Sequence, residues 1–288
     1  DYLEGSKYVD ETDFGAGPVA SRVRAYTSVW QLGGSLAQGV LNLLSPYTNW
    51  MPYMASFNAK NGFGGGFGIG KVQSAYHSAF RQVGAPGILR MTMNQAEFYD
   101  NVAKDPALQK KHGLTVDEAK VIANEIRQGK LIPAQSNALI ATARGQTTNK
   151  FLRGFIDKYM APFNLSEQAG RRAAFLAAYR LKRDQMLGAG KSQKDAQQEA
   201  SDFAVKSLDL TLGDYSVLNR PPAFRAGITS FLYMYKTYPT TTIQLLANLS
   251  RPAQLSMLAG LWFLSDAAGL PFAADLEALI DTISQKLG

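Results

Sequence analysis

Apolar residues recur at gaps of three and four along much of this chain. Between Val19 and Leu44 the series is Val23, Tyr26, Trp30, Gly33, Leu36, Val40, Leu43 and Leu44, the spacing of one helix face. Ser45 and Pro46 predict its end. Trp50, Pro52 and Tyr53 then lead into a Gly-rich loop, GFGGGFGIGK, and a second helix is expected from Lys71 to Val83. Residues 90–155 are more polar. A short helix is expected over 94–102, and Thr115 with Glu118 forms a capping-box pattern that opens a helix reaching Gly129. Further helices are expected near Pro133 to Gly145, over 149–160, and from Ser166, read as a cap, to Leu187. Ser192 caps the next, which places Ala196, Ala200, Phe203, Ala204 and Ser207 on one narrow face of mostly small residues. Helices at about 224–238, 240–249, 253–265 and 273–287 follow, after turns at TLGDY and NRPPAF.

No alternating strand pattern of useful length occurs, and no repeat of fixed period. The expected class is all-α: an irregular multi-helix assembly with Gly/Pro-rich loops. Three segments are distinguished. Residues 1–90 hold an N-terminal arm, apolar helices and the Gly-rich loop. Residues 91–160 are a polar helical segment. Residues 161–288 combine a basic helix with aromatic and apolar helices.

Charge adds a direction. Of 288 residues 46% are hydrophobic and only 18% charged, with 26 Gly and 13 Tyr. Low charge fits a large core or a surface covered by partners. Lys and Arg number 30 against 23 acids, a net charge of +7, which favours polyanionic partners such as nucleic acid or anionic lipid. There is no cysteine, so disulfides, thiolate metal sites and Cys nucleophiles are excluded. His77 and His112 are the only histidines, too few for a classical zinc cluster. No metal and no cofactor is expected. The chain opens on Asp1 without a signal-peptide pattern and closes on LIDTISQKLG, which reads as an excerpt of a longer chain.

Three stretches are candidates for chemistry. Gly65, Gly70 and Lys71 satisfy G-x-x-x-x-G-K, but Val72 stands where a P-loop needs a Ser or Thr for magnesium, and no buried strand precedes it. A hinge anchored by Phe63 and Phe67 is the preferred reading. The helix after Ser166 is basic and amphipathic. Arg171, Phe175, Ala178 and Lys182 share one stripe, Arg172, Tyr179 and Arg183 the next, and Ala169, Ala173, Leu176, Ala177 and Leu181 the opposite side. Arg171, Arg172, Lys182 and Arg183 are therefore candidate contacts to a phosphate backbone or an acidic groove, against a solvated face paired through Glu167 and Asp184. No base-reading motif accompanies them, so any such binding would lack sequence preference.

The third stretch is the apolar C-terminal region. Phe231, Tyr233, Tyr235, Trp262 and Phe263 are candidate membrane or partner contacts, with Lys236, Pro239, Asp266 and Pro271 interrupting any span. A buried helix pair is the plainer alternative. Catalysis is not supported. Neither histidine lies in a recognisable motif, and Asp209 and Asp214, an imaginable carboxylate pair, sit beside a Gly turn. The segment is expected not to be an enzyme and to take no small-molecule substrate.

Three segments carry a family resemblance. SVWQLGGSLAQGVLNLLSPYTNWMPYM, FNLSEQAGRRAAFLAAYRL and RPPAFRAGITSFLYMYKTYPTTTIQLL resemble, in the same order, segments of very large polyvalent proteins of tailed bacteriophages. Together they cover less than half the chain. The resemblance implies an internal virion, or DNA-ejection, protein. Such a protein is packaged inside the capsid near the portal and then assembles into a conduit for genome passage across the host envelope. Implied partners are copies of itself or sister ejection proteins and portal or tail proteins, with phage DNA and the bacterial membrane as further candidates. Relatives often carry an enzymatic domain elsewhere in a giant chain, and no catalytic residue is carried over here. The alternative is a sequence-nonspecific nucleic-acid-binding helical module of a large phage virion protein. Helix faces around Trp30, Tyr179, Phe203 and Phe231 are the expected assembly contacts.

Overall fold

In a computed structural model, the chain is described over residues 29–30, 36–61, 69–86, 95–131, 150–213 and 242–268. These residues are all-α, with no strand among them. The helices are α1 (Leu36–Ser45), α2 (Met51–Asn61), α3 (Ile69–Ala79), α4 (Gln95–Lys104), α5 (Pro106–His112), α6 (Val116–Arg127), α7 (Lys150–Gly188), α8 (Gln193–Leu208), α9 (242–248) and α10 (Arg251–Ala268). Three five-residue π-helical turns adjoin them, at Pro46–Trp50, Phe80–Gly84 and Asp209–Gly213.

Local chemistry explains several boundaries. At α6 the Thr115 hydroxyl accepts from the Glu118 N–H at 3.2 Å, and the Glu118 carboxylate accepts from the Thr115 N–H at 3.1 Å. Two N–H groups left over at the helix start are thereby satisfied. Ser192 caps α8 by accepting from the Asp195 N–H at 3.2 Å. Asp105 caps α5, a helix absent from the sequence reading, by accepting from the Ala107 N–H at 2.8 Å. That helix ends on Gly113 at φ 62°, a left-handed position that glycine fills without strain.

Two expected boundaries are not boundaries. Ser45 and Pro46 do not end the first helix. The chain passes from α1 through the π turn directly into α2, so Trp50, Pro52 and Tyr53 are helical. Within the turn the Met51 N–H donates to the Pro46 carbonyl, five residues back. Pro46 has no N–H to reach back to Asn42 in this continuous run, and the Ser45 hydroxyl donates to the Asn42 carbonyl at 3.0 Å. Likewise Ser166 does not start a helix. Residues 150–188 form one helix with Pro162 inside it, about 58 Å long, and the Ser166 hydroxyl donates backwards to the Phe163 carbonyl at 2.8 Å. This helix also runs through the 160–161 boundary expected between two segments. The helices expected at 133–145, 224–238 and 273–287 lie outside the described residues.

The main core gathers Trp50 and Met54 from the first helical run, Tyr76 and Val83, Tyr99 and Val102, Ile122, and Leu208 around Phe175, Leu176 and Tyr179 of α7. Residues 169–179 of α7 are buried all round, as befits a helix packed on every side. The expected small face of α8 is present: Ala196, Ala200, Ala204 and Ser207 are buried, while Phe203 is half-buried beside them. Small side chains let α8 lie close against α7. Two smaller clusters flank this core. Val29, Ile156, Met160 and Phe163 form one, and Leu245, Leu246, Leu249, Ala253, Met257 and Leu261 form the other.

Candidate functional site

The cationic side chains of α7 divide by depth. Arg171 and Arg172, expected to face a polyanion, are buried. Arg171 donates to the Leu212 carbonyl at 3.3 Å and pairs with Glu167 at 3.6 Å. Arg172 donates to the Gln168 side chain at 2.7 Å. Burial lowers the pKa of Arg172, and Tyr99 opposes that fall. These guanidiniums hold protein groups, so they present no phosphate-facing stripe at these positions. The reason is the surrounding packing: α1, α3, α8 and the π turns cover α7 here on every side.

About two turns further on, α7 meets the start of α6. Arg180 places Nε 2.8 Å from Glu118 Oε1 and Nη2 2.8 Å from Oε2. It also donates to the Gln82 side chain at 2.6 Å and to the Gly113 carbonyl at 3.2 Å. Arg183 reaches Glu118 Oε1 at 3.1 Å and Asp184 at 3.0 Å, and lies 5.6 Å from the Tyr179 ring centre. Burial opposes the charged form of Glu118. Arg180, the Thr115 N–H and Arg183 outweigh it and hold the carboxyl below its ordinary range. Burial pushes the Tyr179 phenol up to about 12. Lys182 lies 5.7 Å from the Phe203 ring centre and donates to Gln185 at 3.3 Å. This junction ties α6, the end of α5, the π turn at Phe80–Gly84 and α7 together. Arg183 and the capping role of Glu118 are legible in the sequence. Arg180 is not, because its only signal is its one-turn spacing from buried positions.

A second polar band crosses the core beneath Arg171. Trp50 Nε1 donates to the Ser207 hydroxyl at 3.2 Å, and Asn49 donates to the Thr211 carbonyl at 3.3 Å. Gly170 packs against Pro46, and a Cβ there would meet Pro46 Cγ at 3.4 Å. All of this is interior architecture.

The outward candidates lie at the ends. Trp30 is 75% exposed and stacks on Tyr159 with ring centres 6.4 Å apart, and Tyr159 stacks on Phe155 at 5.4 Å. The Tyr159 hydroxyl donates to the Trp30 carbonyl at 3.2 Å. On α10, Ala253, Met257 and Leu261 are buried, while Leu255 and Trp262, seven residues apart, are exposed on the opposite side. Phe263 lies in the same helix. Phe231, Tyr233 and Tyr235 lie outside the described residues. Of the expected assembly contacts, Trp30 is open, Tyr179 is fully buried and Phe203 is half-buried. Among the described residues no helix is long and apolar enough to cross a membrane.

The remaining sequence candidates are dispersed. Gly70 and Lys71 sit in the first turn of α3, and residues 62–68 lie outside the described residues. His77 Nε2 is 2.5 Å from the Tyr47 hydroxyl, whereas His112 is buried edge-on to Phe98. Asp209 is exposed and Asp214 lies outside the described residues. No group of three or more His, Asp or Glu side chains among the described residues could hold a metal ion. No protein family, no curated protein and no solved structure matches this chain.

Proposed function

We propose that this chain is a structural, non-enzymatic segment of a tailed-phage DNA-ejection protein. In this reading it is packaged in the virion near the portal and assembles with copies of itself, sister ejection proteins or tail proteins into a conduit across the host envelope. The observation that carries the reading is the two-sided α10. One side packs on the body, and the other offers Leu255 and Trp262, the latter 58% exposed. Large apolar side chains at a helical repeat on an outer face fit a protein partner. The ordered resemblance of three segments to phage polyvalent proteins supplies the biological setting.

Mass spectrometry of purified particles before and after DNA release tests this reading. The chain is expected in filled particles and depleted from emptied ones. Its presence in infected-cell lysate but never in purified particles would overturn the proposal. Sedimentation of the Leu255→Ser/Trp262→Ser double variant is expected to show weaker assembly than the parent.

A further inference from the structure

The first third of α7 carries two parallel rows of side chains. Lys150, Gly154 and Lys158 lie four residues apart on one row, and Phe151, Phe155 and Tyr159 on the next. The rows are adjacent because each member of the second is one residue on from the first, about 100° around the helix. Lys150, Gly154, Lys158, Phe151 and Phe155 are exposed, while Ile156 and Met160 anchor the opposite side in the core.

The aromatic row does not end on α7. Phe155, Tyr159 and Trp30 form one continuous stack, with interplanar angles of 17° and 28°. Tyr159 is the middle ring, held in place by its hydrogen bond to the Trp30 backbone. The outer rings, Phe155 at 49% and Trp30 at 75% exposure, retain faces open to water. In the cationic row, Lys150 and Lys158 stand about 12 Å apart along the axis and have no anionic partner among the described residues. Between them Gly154 leaves bare backbone, with nothing within 4 Å of where a Cβ would stand. Asp157, the one acid in this turn, is half-buried.

We infer that this surface binds single-stranded nucleic acid without sequence preference, bases stacking on Phe155 and Trp30 and phosphates following Lys150 and Lys158. Stacking on aromatic faces tolerates any base, and a flanking cationic track selects the backbone. A lipid surface is the weaker fit, because the rings stack on one another instead of splaying outward as anchors. A duplex fits less well, because its bases are already stacked and present no free face. The inference does not rest on the ejection reading. A failure of binding would leave the particle assay untouched, and the reverse holds equally.

The test is fluorescence titration of the full chain with oligodeoxythymidylate of about 15 nucleotides, within the span a stacking surface covers. Matched duplex DNA and anionic phosphatidylglycerol vesicles are the comparison ligands. Single strands are expected to bind best and to quench tryptophan emission. Trp30→Ala and Phe155→Ala should each weaken binding by roughly tenfold while leaving the circular dichroism spectrum unchanged. Lys150→Glu with Lys158→Glu should flatten the dependence on salt by about 1.4 in log–log slope, the value for two phosphate contacts on a single strand. Equal affinity for duplex, preference for vesicles, or binding that survives both aromatic substitutions would each overturn the proposal. Should either alanine variant lose helicity, Trp30→Phe, which keeps a ring in the stack, must restore binding for the inference to stand.

Discussion

Arg180 grips Glu118 with two parallel hydrogen bonds, Nε to Oε1 and Nη2 to Oε2, both at 2.8 Å. The carboxylate is only 2% exposed and the guanidinium 21%. The pair is therefore screened far less than a surface ion pair. Arg180→Ala leaves a buried carboxylate with Arg183 as its remaining cation. The expected loss is roughly 3 kcal/mol, the low end for breaking a buried pair because Arg183 remains, read as a lowered denaturation midpoint in urea. A loss within about 0.5 kcal/mol, typical of surface substitutions, would show that the pair is not integral to the fold.

The same carboxylate makes stability depend on acid. Its pKa in the folded protein lies below the ordinary value: burial works against the charge, and Arg180, Thr115 and Arg183 prevail. As pH falls, the unfolded chain takes up this proton before the folded one does. The group's contribution is complete above the ordinary Glu value of about 4.3 and is lost as pH drops through the lower folded value. Glu118→Gln should flatten the fall in stability below about pH 4.3. Thermal melts across that range check it, and parallel curves for parent and variant would refute it.

Two glycines should respond to alanine in opposite directions. At Gly84 a Cβ would stand 2.6 Å from the Phe80 ring and 3.1 Å from the Ala169 carbonyl, so Gly84→Ala should cost roughly 1–3 kcal/mol through overpacking. At Gly154 the space is open and the backbone is helical. Gly154→Ala should therefore add up to about 1 kcal/mol. Paired melts of the two variants decide the point.

Helix capping offers a graded comparison. Thr115 and Ser192 both cap helices, but Thr115 belongs to a reciprocal box whose other half is the paired Glu118. Ser192→Ala should cost about 1 kcal/mol, and Thr115→Ala somewhat more, up to about 2 kcal/mol. Equal costs in urea unfolding would mean that the box adds nothing to the cap.

Local rules made the class and several elements legible. Thr115 with Glu118, Ser192 and the small face of α8 could be read because each depends on residues within one or two turns. Ser45, Pro46 and Ser166 differ from expectation for a shared reason. Each is a good stop or start signal in isolation, and tertiary packing overrides it: the first two sit on a helical run pinned against α7, and Ser166 lies inside α7 itself. The burial of Arg171 and Arg172 has a similar origin. Periodicity identifies faces, but it does not say how many neighbours arrive, and α7 is covered on every side at Arg171 and Arg172. The stack of Trp30 on Tyr159 joins residues 129 apart in sequence, a proximity that no spacing rule encodes.

The π turns at Pro46–Trp50, Phe80–Gly84 and Asp209–Gly213 all meet α7 at residues 169–171. Each follows an α-helix and takes more residues per turn than the α form. Side chains beyond such a turn are rotated relative to those before it, so a single heptad-like register cannot run across it. Trp50 closes one of these turns with its ring fully enclosed and its indole N–H on Ser207. Excising one residue from Pro46–Trp50 would let the run wind as uninterrupted α-helix, swing that indole out of its slot, and set every later residue of α2 about 100° out of phase with α10.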